Sequence, residues 1–320
     1  MEKFVAELMG ARDGGLLSRR QFCETVALAA TVYAAGEGVA NAAPARGFKI
    51  IGINHISYAC PDYRKARDFY VSVLGMEIVP GADNGRETRL MFGPGPGRGG
   101  SFLIPRNGRT APNAKAVVDH IAYTIGGGDK AQIHAALEAK GLALAERGES
   151  LHFEDPFKFG VQIEVPLSSH VANGTAAGPR PRVELVNHIS YSCPDFKRAA
   201  DWYSMIFNLD QVGASASEVT LPFGQKGEHP LGVTDKDVPL SHLVIRNASV
   251  QDGQARRTSK ALVNHIAYTI ADFDKERVRV ELNRLGYPKP LQDGAHSFHI
   301  VDPNGFDVQI SGIQMTALGG

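Results

Sequence analysis

The sequence contains one short phrase in four copies, and each copy carries a histidine. The first copy reads NHISY at residues 54–58, and the same letters return at 187–191. Two variants read DHIAYT at 119–124 and NHIAYT at 264–269. The histidines are His55, His120, His188 and His265, at intervals of 65, 68 and 77 residues. Such a period indicates a chain built from copies of one structural unit.

Each copy predicts the same succession of elements. An apolar strand that contains the histidine comes first, and a helix follows. In the helices, the apolar side chains fall at helical spacing on one face, Ala66, Phe69, Val73 and Leu74 in the first copy and Ala199, Trp202, Ile206 and Phe207 in the third. Glycines stand where the helices should end, at Gly75, Gly141 and Gly286. Three shorter strands follow, so the unit is βαβββ and the fold class is α+β.

The copies form two pairs, which predicts two domains. The first and third copies share ISY(A/S)CPD, while the second and fourth share HIAYTI, a DP turn and VQI. The predicted N-terminal domain covers 49–167, with modules at 49–110 and 115–167. The predicted C-terminal domain covers 183–313, with modules at 183–250 and 260–313. Residues 168–182 are rich in Gly, Pro and small side chains, which is typical of a linker.

Composition narrows the range of partners. The chain has 34 basic and 34 acidic residues, so its formal net charge is zero. No basic run marks a nucleic-acid surface, and beyond the first 45 residues no apolar stretch is long enough to cross a bilayer. A small-molecule substrate is therefore the expected partner, with a homo-oligomer as a further option.

The first 45 residues have the organisation of an export signal. Paired arginines, Arg19 and Arg20, precede Phe22, and a mild apolar run at 26–40 leads to the small residues ANAAPA. A positive flank, a short apolar middle and a small-residue cleavage site are typical of a secretory signal, and the paired arginines favour the twin-arginine type. We therefore expect residues 1–45 to be removed and the protein to be periplasmic or extracellular, with no lasting membrane anchor. The alternative is a mobile cytosolic N-terminal helix.

The opening HISYACPDYRKARDFYVSVLGMEIV and the closing DPNGFDVQ resemble the vicinal oxygen chelate superfamily. This group includes glyoxalase I, extradiol ring-cleaving dioxygenases and bleomycin-resistance-type binding proteins, and the resemblance extends over roughly residues 49–312. It implies that two modules pair into one cupped mixed sheet, so that four modules form two paired-module domains. It also implies metal ligands from the first strand of each module and from the last strand of the pair.

In the N-terminal half, the resemblance implies a metal site at His55 and His120. A third ligand seven residues after Asp155 would be Gln162, and Glu164 lies two residues further on the same strand face. Because a carboxylate binds a divalent cation better than an amide, we predict Glu164 as the ligand and keep Gln162 as the alternative. The expected metal is Fe(II) or Mn(II), with Zn or Ni as alternatives.

The C-terminal half predicts a degenerate second site at His188, His265, His299 and Gln309. No carboxylate is expected in it, because Gln309 occupies the seven-residue position and Ser311 stands where Glu164 would be. His152 and His299 each precede the DP turn by three residues, and we predict His152 as the catalytic proton shuttle. Tyr58 and Tyr123 should face away from the histidines and pack in the core.

These features together predict an exported, metal-dependent enzyme that resembles extradiol dioxygenases. Its substrate would be a small molecule that chelates the metal through two neighbouring oxygens. A glyoxalase-like lyase or isomerase is one alternative. A metal-free binding protein of the bleomycin-resistance type is the other.

Overall fold

The four histidine phrases form the central strands of two mixed sheets. The computed structural model describes residues 48–93, 100–108, 111, 114–126, 129–164, 182–224, 241–248, 260–270, 273–287, 292–312 and 315. The predicted signal at 1–45 lies outside these residues, as does the predicted linker apart from Arg182. Among the residues described, no helix is long and apolar enough to span a membrane.

The first sheet is built from the first two modules. Its strands are β1 (Lys49–Cys60), β2 (Glu77–Ile78), β3 (Leu90–Phe92), β4 (Ser101–Asn107), β5 (Val117–Gly126), β6 (Ala145–Arg147), β7 (Ser150–Glu154) and β8 (Gly160–Glu164). They lie in the order β2-β3-β4-β1-β5-β8-β7-β6. Strands β1 and β5 are antiparallel neighbours at the centre, and each pairs in parallel with the last strand of its own module.

The second sheet repeats this arrangement with the last two modules. Its strands are β9 (Val183–Cys193), β10 (Glu218–Phe223), β11 (Ser241–Asn247), β12 (Leu262–Ile270), β13 (Gln292–Asp293), β14 (Ser297–Val301) and β15 (Asp307–Ser311). They lie in the order β10-β11-β9-β12-β15-β14-β13. The predicted α+β fold of paired βαβββ modules is therefore confirmed.

One helix follows the first strand of each module. The helices are α1 (Tyr63–Leu74), α2 (Lys130–Ala139), α3 (Phe196–Phe207) and α4 (Lys275–Arg284). An aspartate caps every N-terminus by accepting backbone N–H bonds, at Asp62, Asp129, Asp195 and Asp274. The glycines predicted at the helix ends have the left-handed backbone that a helix stop requires, with φ of 63° at Gly75, 79° at Gly141 and 90° at Gly286.

Helices α1 and α3 pack aromatic side chains across to the other half of the chain. In α1, Phe69 meets Tyr287 with ring centroids 5.3 Å apart. In α3, Trp202 lies 6.1 Å from Phe153, again between ring centroids. Both helices thus bury their apolar faces in a core that the two halves share, since core residues of both halves form one continuous cluster.

Hydrogen bonds join the two halves in symmetric pairs. The Gly93 N–H donates to the Val183 carbonyl at 3.2 Å, and the equivalent Gly224 N–H donates to Ile50 at the same distance. The Tyr58 hydroxyl donates to Asp302, and its counterpart Tyr191 donates to Asp155. Tyr58 thus lies in the core as predicted, and it also contacts a carboxylate 244 residues away.

Candidate metal centres

A β-bulge directly precedes each of the four phrase histidines. In the central strand pairs, the residue before the histidine is skipped in the pairing, namely Asn54, Asp119, Asn187 and Asn264. A bulge bends the strand and re-aims the following side chain. The skipped side chain can therefore reach the ring of the histidine that follows it.

These preceding side chains fix the histidine tautomers. The Nδ1 atoms of His55, His188 and His265 lie 2.9, 3.0 and 3.1 Å from the side-chain oxygen of the preceding asparagine. Asn187 is oriented independently, since its amide nitrogen donates to the Met315 carbonyl at 2.6 Å. An amide oxygen can only accept, so the ring carries its hydrogen on Nδ1 and the lone pair lies on Nε2.

The Nε2 atoms of the paired histidines face each other in both halves. The Nε2 atoms of His55 and His120 are 3.3 Å apart, and those of His188 and His265 are 3.0 Å apart. Burial, followed by the charges of His120 and Arg89, lowers the pKa of His55 to about 3. Burial, followed by the charge of Arg246, lowers the pKa of His188 to about 3. Both rings are therefore neutral at neutral pH, which is the form that binds a metal.

The C-terminal histidine face, which we define as His188, His265, His299 and Gln309, holds a third acceptor. The Gln309 amide nitrogen donates to the Ser297 hydroxyl at 3.0 Å. Its amide oxygen is buried and has no hydrogen-bond partner among the described residues. Gln309 lies one strand away from His265, on the same side of the sheet. A cation bound by the two facing lone pairs would also satisfy this buried oxygen.

The expectation of no carboxylate in this half was wrong. Asp307 pairs directly with His265 across β12 and β15, and its carboxylate accepts from the Nδ1 of His299 at 3.0 Å. His265, His299 and Asp307 bring their ligand atoms within 4.8 Å of one another, and they form the one such group found among the described residues. The spacing rule led to Gln309 and overlooked an acid two residues earlier on the same strand face.

The N-terminal histidine face, defined as His55, His120, His152 and Gln162, is arranged differently. Glu164 lies on the predicted side of β8, but its carboxylate accepts a hydrogen bond from the amide of Gln162. His55, His120 and Glu164 do not bring their ligand atoms within 4.8 Å of one another. The geometry thus places Glu164 as a partner of Gln162, and a role for Glu164 as ligand remains a prediction.

His152, the predicted proton shuttle, is part of this face. Its ring centroid is 6.1 Å from that of His120, and it pairs with Gln162 across β7 and β8. Burial and the charge of Arg147 lower its pKa. His120, Arg147 and His152 line a cavity of about 820 Å³.

The sequence reasoning missed one further histidine. His242 pairs with His188 across β11 and β9, and it is buried. Its Nδ1 donates to the Asn187 carbonyl at 3.2 Å, and burial lowers its pKa. The signal was present in the alignment of SHLVIRN at 241–247 with SFLIPRN at 101–107, where a histidine replaces Phe102.

Comparison with known proteins gives a family match for the first half of the chain. Residues 52–176 match the family described as the Glyoxalase/Bleomycin resistance protein/Dioxygenase superfamily. The uncharacterized protein YwkD of Bacillus subtilis (strain 168) is 35% identical over 86 residues, which are 25% of this chain and 65% of YwkD.

Two solved structures share the fold across both halves. The Mn(II)-bound glyoxalase from Novosphingobium aromaticivorans superposes with a TM-score of 0.63 at 15% identity, covering 83% of each chain. Homoprotocatechuate 2,3-dioxygenase from Arthrobacter globiformis gives a TM-score of 0.60 at 16% identity, covering 84% of this chain and 82% of that one. Residues 52–176 therefore belong to the glyoxalase, bleomycin resistance protein and dioxygenase superfamily, and the second half of the chain repeats the same module.

Proposed function

We propose that the protein is a divalent-metal-dependent enzyme that acts on a small molecule with two neighbouring oxygens. The observation that carries the proposal is the pair of facing Nε2 lone pairs, 3.0 Å apart at His188 and His265. Two acceptors at this distance repel each other unless a cation lies between them. A proton would not serve at neutral pH, because burial lowers the pKa of both rings.

The donor set on the C-terminal histidine face suits Fe(II) or Mn(II). His188, His265 and the amide oxygen of Gln309 would hold the ion on one side, and Asp307 is near enough to His265 to contribute. When bound, the ion would supply a Lewis acid with open positions for the two substrate oxygens. With Gln309 and not Asp307 as the third ligand, the neutral amide would leave more positive charge on the ion than a carboxylate would.

The surrounding side chains favour turnover over passive binding. His242 has its hydrogen on Nδ1, where it donates to a carbonyl, so its Nε2 is available to accept a proton. On the other side of the pair, His299 donates to Asp307, which would stabilise the protonated ring after it has taken up a proton. A substrate held between them would have an acid–base group at each end.

Two reactions fit this arrangement. Oxygen-dependent cleavage of a catechol-like diol is our first proposal, because the fold across both halves is that of homoprotocatechuate 2,3-dioxygenase. A glyoxalase-like isomerisation is the second. It is favoured by the placement of His242 and His299 on opposite sides, which would allow neutral His242 to take a proton from one carbon while His299, starting as the protonated ring held by Asp307, delivers its own proton to the neighbouring carbon.

The N-terminal histidine face is proposed to hold a second ion. His55 and His120 face each other as their counterparts do, and the Nδ1 of His120 lies 3.7 Å from the Asp119 carboxylate. A carboxylate behind a ligating imidazole orients the ring and raises its basicity. Gln162 is at the position of Gln309, with Glu164 holding its amide nitrogen.

Elemental analysis and oxygen uptake test the function. We expect the purified protein to contain divalent metal and to consume oxygen with at least one member of a catechol panel. His265→Ala should abolish activity, and His242→Ala should lower the turnover number about 100-fold or more while the metal is retained. His134→Ala, on helix α2, is the matched control and should change neither.

Other results would separate the alternatives. Metal-dependent activity without oxygen uptake would favour the isomerase. A protein that contains no metal, that takes up neither Fe(II) nor Mn(II), and that keeps its ligand affinity after His265→Ala would refute the metal proposal.

Export remains part of the proposal and is supported by the paired arginines before the apolar run at 26–40. Cell fractionation should find the wild-type protein outside the cytoplasm, and the Arg19→Lys/Arg20→Lys double variant inside it. An unchanged distribution would refute the twin-arginine route.

A further inference from the structure

The N-terminal cavity differs in charge from the equivalent surface of the other half. Register pairing identifies equivalent positions, because Leu90 faces Leu103 as Leu221 faces Leu243. Arg89, one residue before Leu90, is thereby equivalent to Thr220.

The second arginine follows from the same comparison of strands. Ala145 faces His152 as Gln292 faces His299. Arg147 is therefore equivalent to Gly294. Two positive side chains line the N-terminal cavity at positions where the C-terminal half has none.

The same comparison shows what the N-terminal half lacks. Phe102 faces His55 where His242 faces His188. Gly160 faces His120 at the position where Asp307 faces His265. The N-terminal histidine face thus has no counterpart of His242 and no carboxylate to support His152 as Asp307 supports His299.

The charges around the cavity leave Arg89 and Arg147 available. Arg106 is bound by Asp119, and Lys158 pairs with Glu154 at 3.1 Å. Asp155 also lines the cavity, but it accepts from the Tyr191 hydroxyl. Glu87 is the remaining acid on the wall.

Neither arginine has a carboxylate within ion-pair distance among the described residues. Both arginines line the cavity together with His55 and His152. Their positive charge is therefore directed toward the cavity.

We propose that the N-terminal cavity binds a small carboxylate anion between Arg89 and Arg147 and does not turn it over. Guanidinium groups recognise carboxylates through paired, charge-assisted hydrogen bonds. A volume of about 820 Å³ admits a molecule of aromatic-acid size. The two duplicated halves have thus diverged, one toward anion binding and the other toward proton transfer. The inference goes beyond the metal proposal and does not depend on it.

Calorimetric titration with phthalate, an aromatic dicarboxylate, tests the site in the full chain. The His265→Ala variant is used alongside wild type to disable the C-terminal half. We expect one phthalate per chain in both proteins, with no turnover in the variant. The Arg89→Thr/Arg147→Gln double variant should raise the Kd about tenfold or more. Arg284→Gln, on an exposed part of helix α4, is the matched control and should leave the Kd unchanged.

Because both arginine side chains are exposed, the double variant should fold, and an unchanged melting temperature checks this. The uncharged diamide of phthalate should not bind. The proposal is overturned if phthalate fails to bind, if the diamide or inorganic phosphate binds as well as or better than phthalate, or if affinity is lost in His265→Ala and kept in the double arginine variant.

Discussion

Each phrase histidine depends on the side chain immediately before it. Asparagine precedes three of the four rings and fixes the hydrogen on Nδ1, and Asp119 stands behind the fourth. Partners behind a metal-binding imidazole hold the ring orientation and the tautomer, and their loss weakens metal binding even though they never touch the ion. In each repeated Asn-His pair, the histidine is the candidate metal ligand and the asparagine holds its ring.

The first prediction concerns this support. Asn264→Ala removes the acceptor at 3.1 Å from the Nδ1 of His265, so the ring can rotate or exchange its tautomer. We expect the affinity for Mn(II) to fall roughly 10- to 100-fold. Competition titration against a chromophoric chelator measures it. Asn283→Ala, on the exposed surface of α4, is the control, and equal affinities in the two variants would contradict the role assigned to Asn264.

At the scale of single elements, the strand register decides which side chains share a face. The bulges at the four phrases sit at the centre of each sheet, where β1 meets β5 and β9 meets β12. In the N-terminal sheet, the strands are closely packed around Gly160. A Cβ added at Gly160 would lie 2.8 Å from both the Asp119 carbonyl and the Cβ of His120. This strand position therefore has no room for the aspartate that its counterpart carries.

Gly160→Ala should accordingly be destabilising. The added methyl group would push against backbone at the bulge, and we expect the free energy of unfolding to fall by about 1–3 kcal/mol. Urea denaturation measures the change. Gly52→Ala, in the same sheet with nothing within 4 Å of the added Cβ, is the control. A loss of stability at Gly52 as large as that at Gly160 would remove the steric explanation.

At the scale of the whole molecule, two buried tyrosine–aspartate contacts join the halves. Tyr58 donates to Asp302 and Tyr191 donates to Asp155, and each aspartate also accepts backbone N–H bonds within its own turn. Burial raises the pKa of both carboxyl groups more than these hydrogen bonds lower it. The ionised form is therefore the less favourable one in the folded protein.

The raised pKa of Asp302 predicts how the stability of the fold changes with pH. Because the folded-state pKa of Asp302 is raised, its contribution to stability is complete below the ordinary aspartate value of about 3.9 and is lost as the pH rises through the folded value. Asp302→Asn mimics the protonated form, so it should gain stability relative to wild type between about pH 4.5 and about pH 7. Urea unfolding across this range measures the difference.

Asp155→Asn should behave in the same way, because the contact is duplicated. Asp210→Asn, at an exposed aspartate, is the control and should show a difference from wild type that does not vary with pH. A relative loss of stability for Asp302→Asn with rising pH would show that the ionised carboxylate stabilises the fold.

The sequence by itself determined the four modules, their order and the face on which the histidines lie. These features are local, since they follow from a repeat and from the alternation of side chains along a strand. Gly75 illustrates this, because a helix stop is encoded within one turn of chain. The resemblance to the vicinal oxygen chelate superfamily rests on the same short sequence motifs.

Only the tertiary structure decided which residues meet on each face. Asp307 reaches His265, and His242 reaches His188, through pairing between strands that are distant in sequence. Likewise, Glu164 accepts a hydrogen bond from Gln162 and does not join the histidine pair. A spacing rule counts along one strand, whereas a site is assembled across several. Register between strands depends on packing over the whole sheet, which no short stretch of sequence records.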